Sequence, residues 1–145
     1  MGDLKTDPAV SMCFSVVVDG HDLGVFTGCD GLGVEVVVET RQEGGNNEFV
    51  HQLPVRLTYT NVKLTRPVNR DSAAVARWFA SMGGDLRRTN ARIAAMRLDG
   101  TTVTSWSLRD VFPVRWQGPS LSVDTDKAAS ETLELAHHGF LDGGT

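Results

Sequence analysis

Any chemistry in this chain would have to come from its histidines, its cysteines and its scattered carboxylates. Four histidines occur: His21 beside a turn, His51 in an extended stretch, and the adjacent pair His137 and His138 near the end. Neighbouring residues on a strand point to opposite faces, so His137 and His138 make a poor joint metal site. Cys13 and Cys29 could in principle pair, but they lack the CxxC spacing of a zinc site and the plainer reading is a pair of reduced, half-buried thiols. Asp124 and Asp126 could meet a cation from one side of a strand, but two carboxylates on a surface are ordinarily just solvated. The glycines of Gly28-Cys29-Asp30-Gly31-Leu32-Gly33 invite comparison with a nucleotide loop. Such a loop needs a strand before it and a helix after it, and here a valine-rich strand follows. These glycines are better read as letting the backbone turn sharply. No GxSxG elbow and no HExxH helix is present. The expectation is a protein with no catalytic residue, no cofactor and no metal, and not an enzyme.

The stretch from Gly33 to Pro67 organises the rest. Val34, Val36 and Val38 fall on one face of a strand, with Glu35 and Glu39 on the other. A second strand, from about Phe49 to Arg66, carries Leu53, Val55, Leu57 and Tyr59 on one side and Arg56, Thr58 and Thr60 opposite. Between them Glu43, Gly44, Gly45, Asn46, Asn47 and Glu48 form a string of turn-favouring residues. The apolar faces coincide only if paired positions have an odd sum, which a two-residue turn at Asn46-Asn47 or a wider loop would satisfy. At Thr60-Asn61 the apolar parity slips to Val62 and Leu64, which predicts a bulge or bend. The product is a long hairpin with one apolar face and one wet face of mixed charge.

The remaining elements surround that hairpin. Residues 1–11 are polar and read as a flexible amino-terminal arm. Phe14 to Val18 and Leu23 to Phe26 flank Asp19-Gly20, a tight-turn dipeptide. After Pro67, Asp71 is a candidate helix cap, and Val75, Trp78, Phe79 and Met82 form one apolar stripe ending at Gly83-Gly84. Ala91 to Leu98 and Val103 to Leu108 flank Asp99-Gly100, a further hairpin signal. Asp110 to Trp116 follows, with Phe112, Val114 and Trp116 on one face. Leu121 and Val123 begin another strand, and Glu131 to His137 alternates as the last. Val75, Trp78, Phe79, Met82, Trp106, Phe112 and Trp116 are the expected core. Roughly six to eight strands and one helix without a βαβ rhythm predict a mainly β fold, an antiparallel barrel or sandwich.

With 145 residues the chain should form a single domain, 1–145. A net charge of -4 without a basic run argues against a nucleic-acid binder. No apolar stretch is long enough for a membrane span, and no signal peptide is expected. One oddity stands out. A hairpin that extends beyond its own core is marginal alone, and its edges are templates for another chain. Association that continues the sheet from subunit to subunit, closing into a ring, would resolve both.

The order and spacing of several segments are similar to the inner tail-tube family of contractile phage tails and extracellular contractile injection systems. They are Phe14 to Gly20 with Leu23 to Phe26, the Cys29 to Leu32 turn, Glu39 to Asn46, and Tyr59 to Arg66. Trp78, Trp106, Phe112 to Trp116 with Gly118-Pro119, and Glu131 to Leu135 with His138-Gly139 complete the set. Two departures are Cys29 in the turn and Pro54-Val55, where the family pattern would have a glycine.

The resemblance implies a barrel-like subunit forming hexameric rings that stack into a hollow tube inside a sheath. Glu35, Glu39, Arg56, Thr58 and Thr60 would face the lumen, and the apolar hairpin face would pack on the subunit core. The segment Glu43, Gly44, Gly45, Asn46, Asn47, Glu48 would order only against a neighbouring subunit. Implied partners are further copies of the chain, a sheath protein, a baseplate or spike adaptor, and luminal cargo protein or DNA. Assembly would occur in the cytoplasm, into a phage virion or an injection particle. The rival expectations are a tube-initiator or baseplate adaptor of the same fold and a small flavin-binding barrel enzyme, the latter disfavoured by the missing basic cluster for phosphate.

Overall fold

The computed structural model describes residues 11–41, 50–84, 87–119 and 129–141. Its elements run β1 (Met12–Val18), β2 (His21–Phe26), β3 (Gly28–Asp30), β4 (Val34–Arg41), β5 (His51–Tyr59) and β6 (Val62–Pro67). Then come α1 (Ser72–Met82), β7 (Thr89–Arg97), β8 (Thr102–Gln117) and β9 (Ser130–Ala136). A seven-stranded antiparallel sheet has the order β2-β1-β7-β8-β9-β6-β3, and β4 and β5 form a separate two-stranded sheet. The larger sheet folds over in a sandwich-like way and does not close into a barrel.

One strand makes that fold-over possible. The first part of β8 pairs with β7, and its last part pairs with β9. Between them Asp110 takes φ 55, a left-handed conformation that breaks the alternation of side chains. Leu108 is buried before it, Val111 and Pro113 after it. This corrects two expected core positions. Phe112 is half-buried under the Arg88 guanidinium, 4.6 Å from its ring centre. Trp116 lies beyond a register shift between Pro113 and Arg115 and is 37% exposed.

The core is otherwise where periodicity puts it. Val16, Val18, Ile93, Leu108, Val62, Leu64, Leu133 and Leu135 are fully buried. From α1, Val75, Trp78 and Met82 join them, while Phe79 and Trp106 are half-buried against the cluster. Each large apolar side chain so buried contributes roughly 1.5–3 kcal/mol. The expected Asp71 side-chain cap is absent: Asp71 has helical φ and ψ and makes no side-chain cap bond. Ser72 instead accepts a bond from the Asn69 amide, and the Asn69 side chain accepts one from the Asp71 amide.

The second long strand, expected from Phe49 to Arg66, is two strands in two different sheets. β5 ends at Tyr59 and β6 starts at Val62, so the parity slip at Thr60-Asn61 marks the passage from the hairpin into the main sheet. The expected strand at Leu121 and Val123, and the amino-terminal arm up to residue 10, lie outside the described residues.

Candidate assembly interface

The β4–β5 hairpin stands away from the core on both faces. Val34, Val36, Val38, Val55 and Leu57 are 53%, 48%, 47%, 51% and 53% exposed. The expectation that this apolar face packs on the subunit's own core is therefore not met. The pairing Val34↔Tyr59, Glu35↔Thr58, Val36↔Leu57 and Val37↔Arg56 has the odd sum that matches the two apolar faces. Between Val37 and Val38 the register shifts, and Val38 lies opposite Pro54. Proline has no amide proton to give the ladder, so a bulge at Val55 beside it is the low-cost arrangement. Beyond the bulge the faces are exchanged on β5. Leu53 now opposes Glu39, and His51 opposes Arg41.

Glu35, Glu39, Arg56 and Thr58 thus share one face, as the alternation required. Thr60 does not. It falls outside the ladder, and its hydroxyl donates to the Gly31 carbonyl at 2.5 Å. The segment Glu43 to Glu48 lies outside the described residues.

Sequence reading missed a buried ion pair that ties the sheet to the helix. Arg66 and Glu131 are each 1% exposed and sit opposite one another across β6 and β9. Arg66 Nε donates to Glu131 Oε2 at 2.9 Å. Its Nη1 donates to the Leu23 carbonyl at 2.7 Å, and its Nη2 to the Asp71 carbonyl at 3.0 Å. The guanidinium also lies 4.0 Å from the centre of the Phe26 ring. Glu131 further accepts the Ser72 hydroxyl and, at 2.8 Å, the Trp116 indole N–H. Burial pushes the Glu131 carboxyl up, but the bonds from Ser72, Trp116 and Arg66 and the Arg66 charge hold it below the ordinary glutamate value. A signal existed. Arg66 continues the buried parity of Val62 and Leu64, as Glu131 does that of Leu133 and Leu135.

A second cluster fastens the base of the hairpin. His137, 5% exposed, places Nε2 3.2 Å from the Thr60 carbonyl, and its Nδ1 accepts the Gly139 amide at 3.1 Å. The Tyr59, His137 and Phe140 rings are mutually in contact, with centroids 5.5, 6.0 and 5.6 Å apart. His138 points elsewhere, to Asp110 at 3.3 Å and Arg88 at 3.2 Å, so the two histidines do diverge. Cys29 is half-buried, and burial, with Asp30 beside it, pushes its thiol up to about 11. At neutral pH that thiol is protonated and a poor nucleophile. Among the described residues no three histidine, cysteine or acidic side chains are grouped to hold a metal ion.

The chain is thus a folded-over sheet carrying one helix and a projecting two-stranded ribbon. The chain belongs to the T4-like virus tail tube protein gp19 family, whose family model matches residues 10–141. It is a structural inner-tube subunit. Among solved structures it is similar to a chain of the anti-feeding prophage (AFP) baseplate, at 23% identity, TM-score 0.71, over 92% of this chain and 94% of that one. It is also similar to a chain of the PVC sheath–tube complex, an extracellular contractile injection system in the extended state. There identity is 19%, with TM-score 0.73 over 92% of this chain and 88% of that one. Hcp1 from Salmonella typhimurium shares the fold more distantly, at 17% identity and TM-score 0.52 over 88% and 82% of the two chains. No curated protein matches.

Proposed function

We propose that six copies of this chain close into a ring and that rings stack into a hollow tube within a contractile sheath. The observation that carries this reading is the β4–β5 hairpin, which exposes Val34, Val36, Val38, Val55 and Leu57 together. A contiguous apolar face of that kind on a ribbon without its own core calls for cover. Neighbouring copies supply it, and both free edges of the ribbon become paired. Once the apolar face is covered, the opposite face with Glu35, Glu39, Arg56 and Thr58 lines the lumen. A lining of mixed charge, with Val37 and Leu53 its apolar members, lets cargo pass without adhering. Thr60, held at the hairpin base, is not part of that lining.

The reading makes the function geometric and non-enzymatic: a conduit and a rigid rod. Its partners are a sheath protein and a baseplate component, in line with the assemblies from which the similar AFP and PVC chains come. Luminal protein or DNA completes the set. The subunit is assembled in the cytoplasm into a phage tail or an injection particle. The segment Glu43 to Glu48, at the tip of the hairpin, supplies the stacking contact between rings. Electron microscopy of the purified protein in negative stain tests this. Long tubes of stacked rings are expected; isolated rings would favour a baseplate adaptor of the same fold, and persistent monomers at high concentration would refute the reading.

A further inference from the structure

We propose that His137 is an acid-sensitive latch that fastens the assembly hairpin to the subunit body. The latch joins three parts of the chain. Tyr59 ends β5, Thr60 begins the passage into the main sheet, and residues 137–140 follow β9. Because Nδ1 accepts the Gly139 amide, the ring proton must reside on Nε2, where it donates to the Thr60 carbonyl. The ring is therefore held neutral, and both its nitrogens are used. A second proton can only go to Nδ1, where it would face the Gly139 N–H, donor against donor.

Gly139 has little room to adjust. It takes φ 123, its carbonyl accepts the Arg109 amide at 3.0 Å, and a Cβ there would lie 2.9 Å from Tyr59 Cζ. Phe140 is bridged to Leu108, and the Leu141 amide donates to the Ser107 carbonyl at 2.8 Å. Because these bonds hold residues 138–141 on β8, strain at Nδ1 is relieved by turning the His137 ring out of its place. That turn withdraws the His137 ring from Tyr59 and Phe140 and frees the Thr60 carbonyl, loosening the hairpin's base.

The surrounding charges do not compensate a proton on His137. Tyr59 and Phe140 offer only their rings, and the link between β5 and β6 offers the Thr60 carbonyl. His138, next in sequence, is engaged with Asp110 of β8 and with Arg88, while Arg109 donates to the His138 carbonyl. On β9, Glu134 accepts from Asn61 at 2.8 Å. Burial first, and then the neighbouring His138, hold the ring's proton affinity below the ordinary histidine value. A histidine lowered on folding keeps the latch shut above its ordinary value, about 6.5, and weakens it as pH falls below that.

The inference concerns the subunit itself, although its consequence for tubes rests on the reading above. The test is amide hydrogen exchange on the full-length protein between pH 7.5 and pH 5, corrected for intrinsic rates. Protection at Gly139 and at the β4–β5 base should fall by up to about tenfold per pH unit below about 6.5. His137→Gln keeps a donor for Thr60 but cannot titrate, so its protection should stay flat. Should that variant misfold, nitrogen chemical shifts of the wild-type ring must still show the Nε2–H tautomer at pH 7.5 and protonation together with the loss of protection. Unchanged wild-type protection, or an equal fall in folded His137→Gln, overturns the latch. Microscopy of the same sample at pH 7.5 separates the two readings: tubes without acid release refute only the latch, and acid release without tubes refutes only the tube.

Discussion

Replacing Glu131 by alanine isolates the tie between sheet and helix. The substitution removes the acceptor for three donors, Arg66 Nε, the Ser72 hydroxyl and Trp116 Nε1. Trp116 is 37% exposed, so its indole can turn to water. Arg66 has no such escape at 1% exposure, and the carbonyls of Leu23, Val25 and Asp71 do not neutralise its charge. A buried charge left without its partner costs about 3–5 kcal/mol. For a chain of this size that lowers Tm by roughly 6–20 °C. Urea unfolding followed by circular dichroism reads the loss. Arg66→Met/Glu131→Leu removes both charges and should recover most of it, with a coupling energy of about 2 kcal/mol or more. The pair's contribution is present above the ordinary glutamate value, about 4.3, and disappears as pH falls through the lower folded value. A loss under about 1 kcal/mol for Glu131→Ala, or strictly additive single substitutions, would refute the reasoning.

Three further outcomes follow from the fold. Trp78→Ala empties the centre of the α1 stripe and should cost about 3–5 kcal/mol in the same urea assay; an unchanged midpoint would show α1 to be peripheral. Leu57→Glu puts a charge on the exposed apolar face of the hairpin, so the monomer's stability should shift by no more than about 0.5 kcal/mol while rings and tubes vanish under the microscope. Replacing Glu43 through Glu48 by Asn-Gly should preserve the circular dichroism spectrum and abolish stacking as seen by light scattering, and normal tubes from that protein would contradict the stacking role.

Local pattern was enough to determine much of this protein. Strand and helix periodicity placed the α1 stripe, both tight hairpins and the separation of Glu35, Glu39, Arg56 and Thr58 from Val34, Val36 and Val38, because side-chain direction along one element depends only on its own period. The parity slip at Thr60-Asn61 was visible for the same reason. What tertiary structure decided are the matters that depend on a partner strand. The positive φ of Asp110 turned Phe112 outward and Val111 inward, and the bulge beside Pro54 carried Leu53 to the wet face. Arg66 and Glu131 could each be read as surface charges until the β6–β9 register set one against the other. His137 became a bridge only because the chain after β9 returns to the hairpin's base. Above all, the apolar face of β4 and β5 lies open because these two strands form a sheet of their own, outside the seven-stranded one. A single element's sequence holds its own faces; which face stays uncovered is a property of everything packed around it.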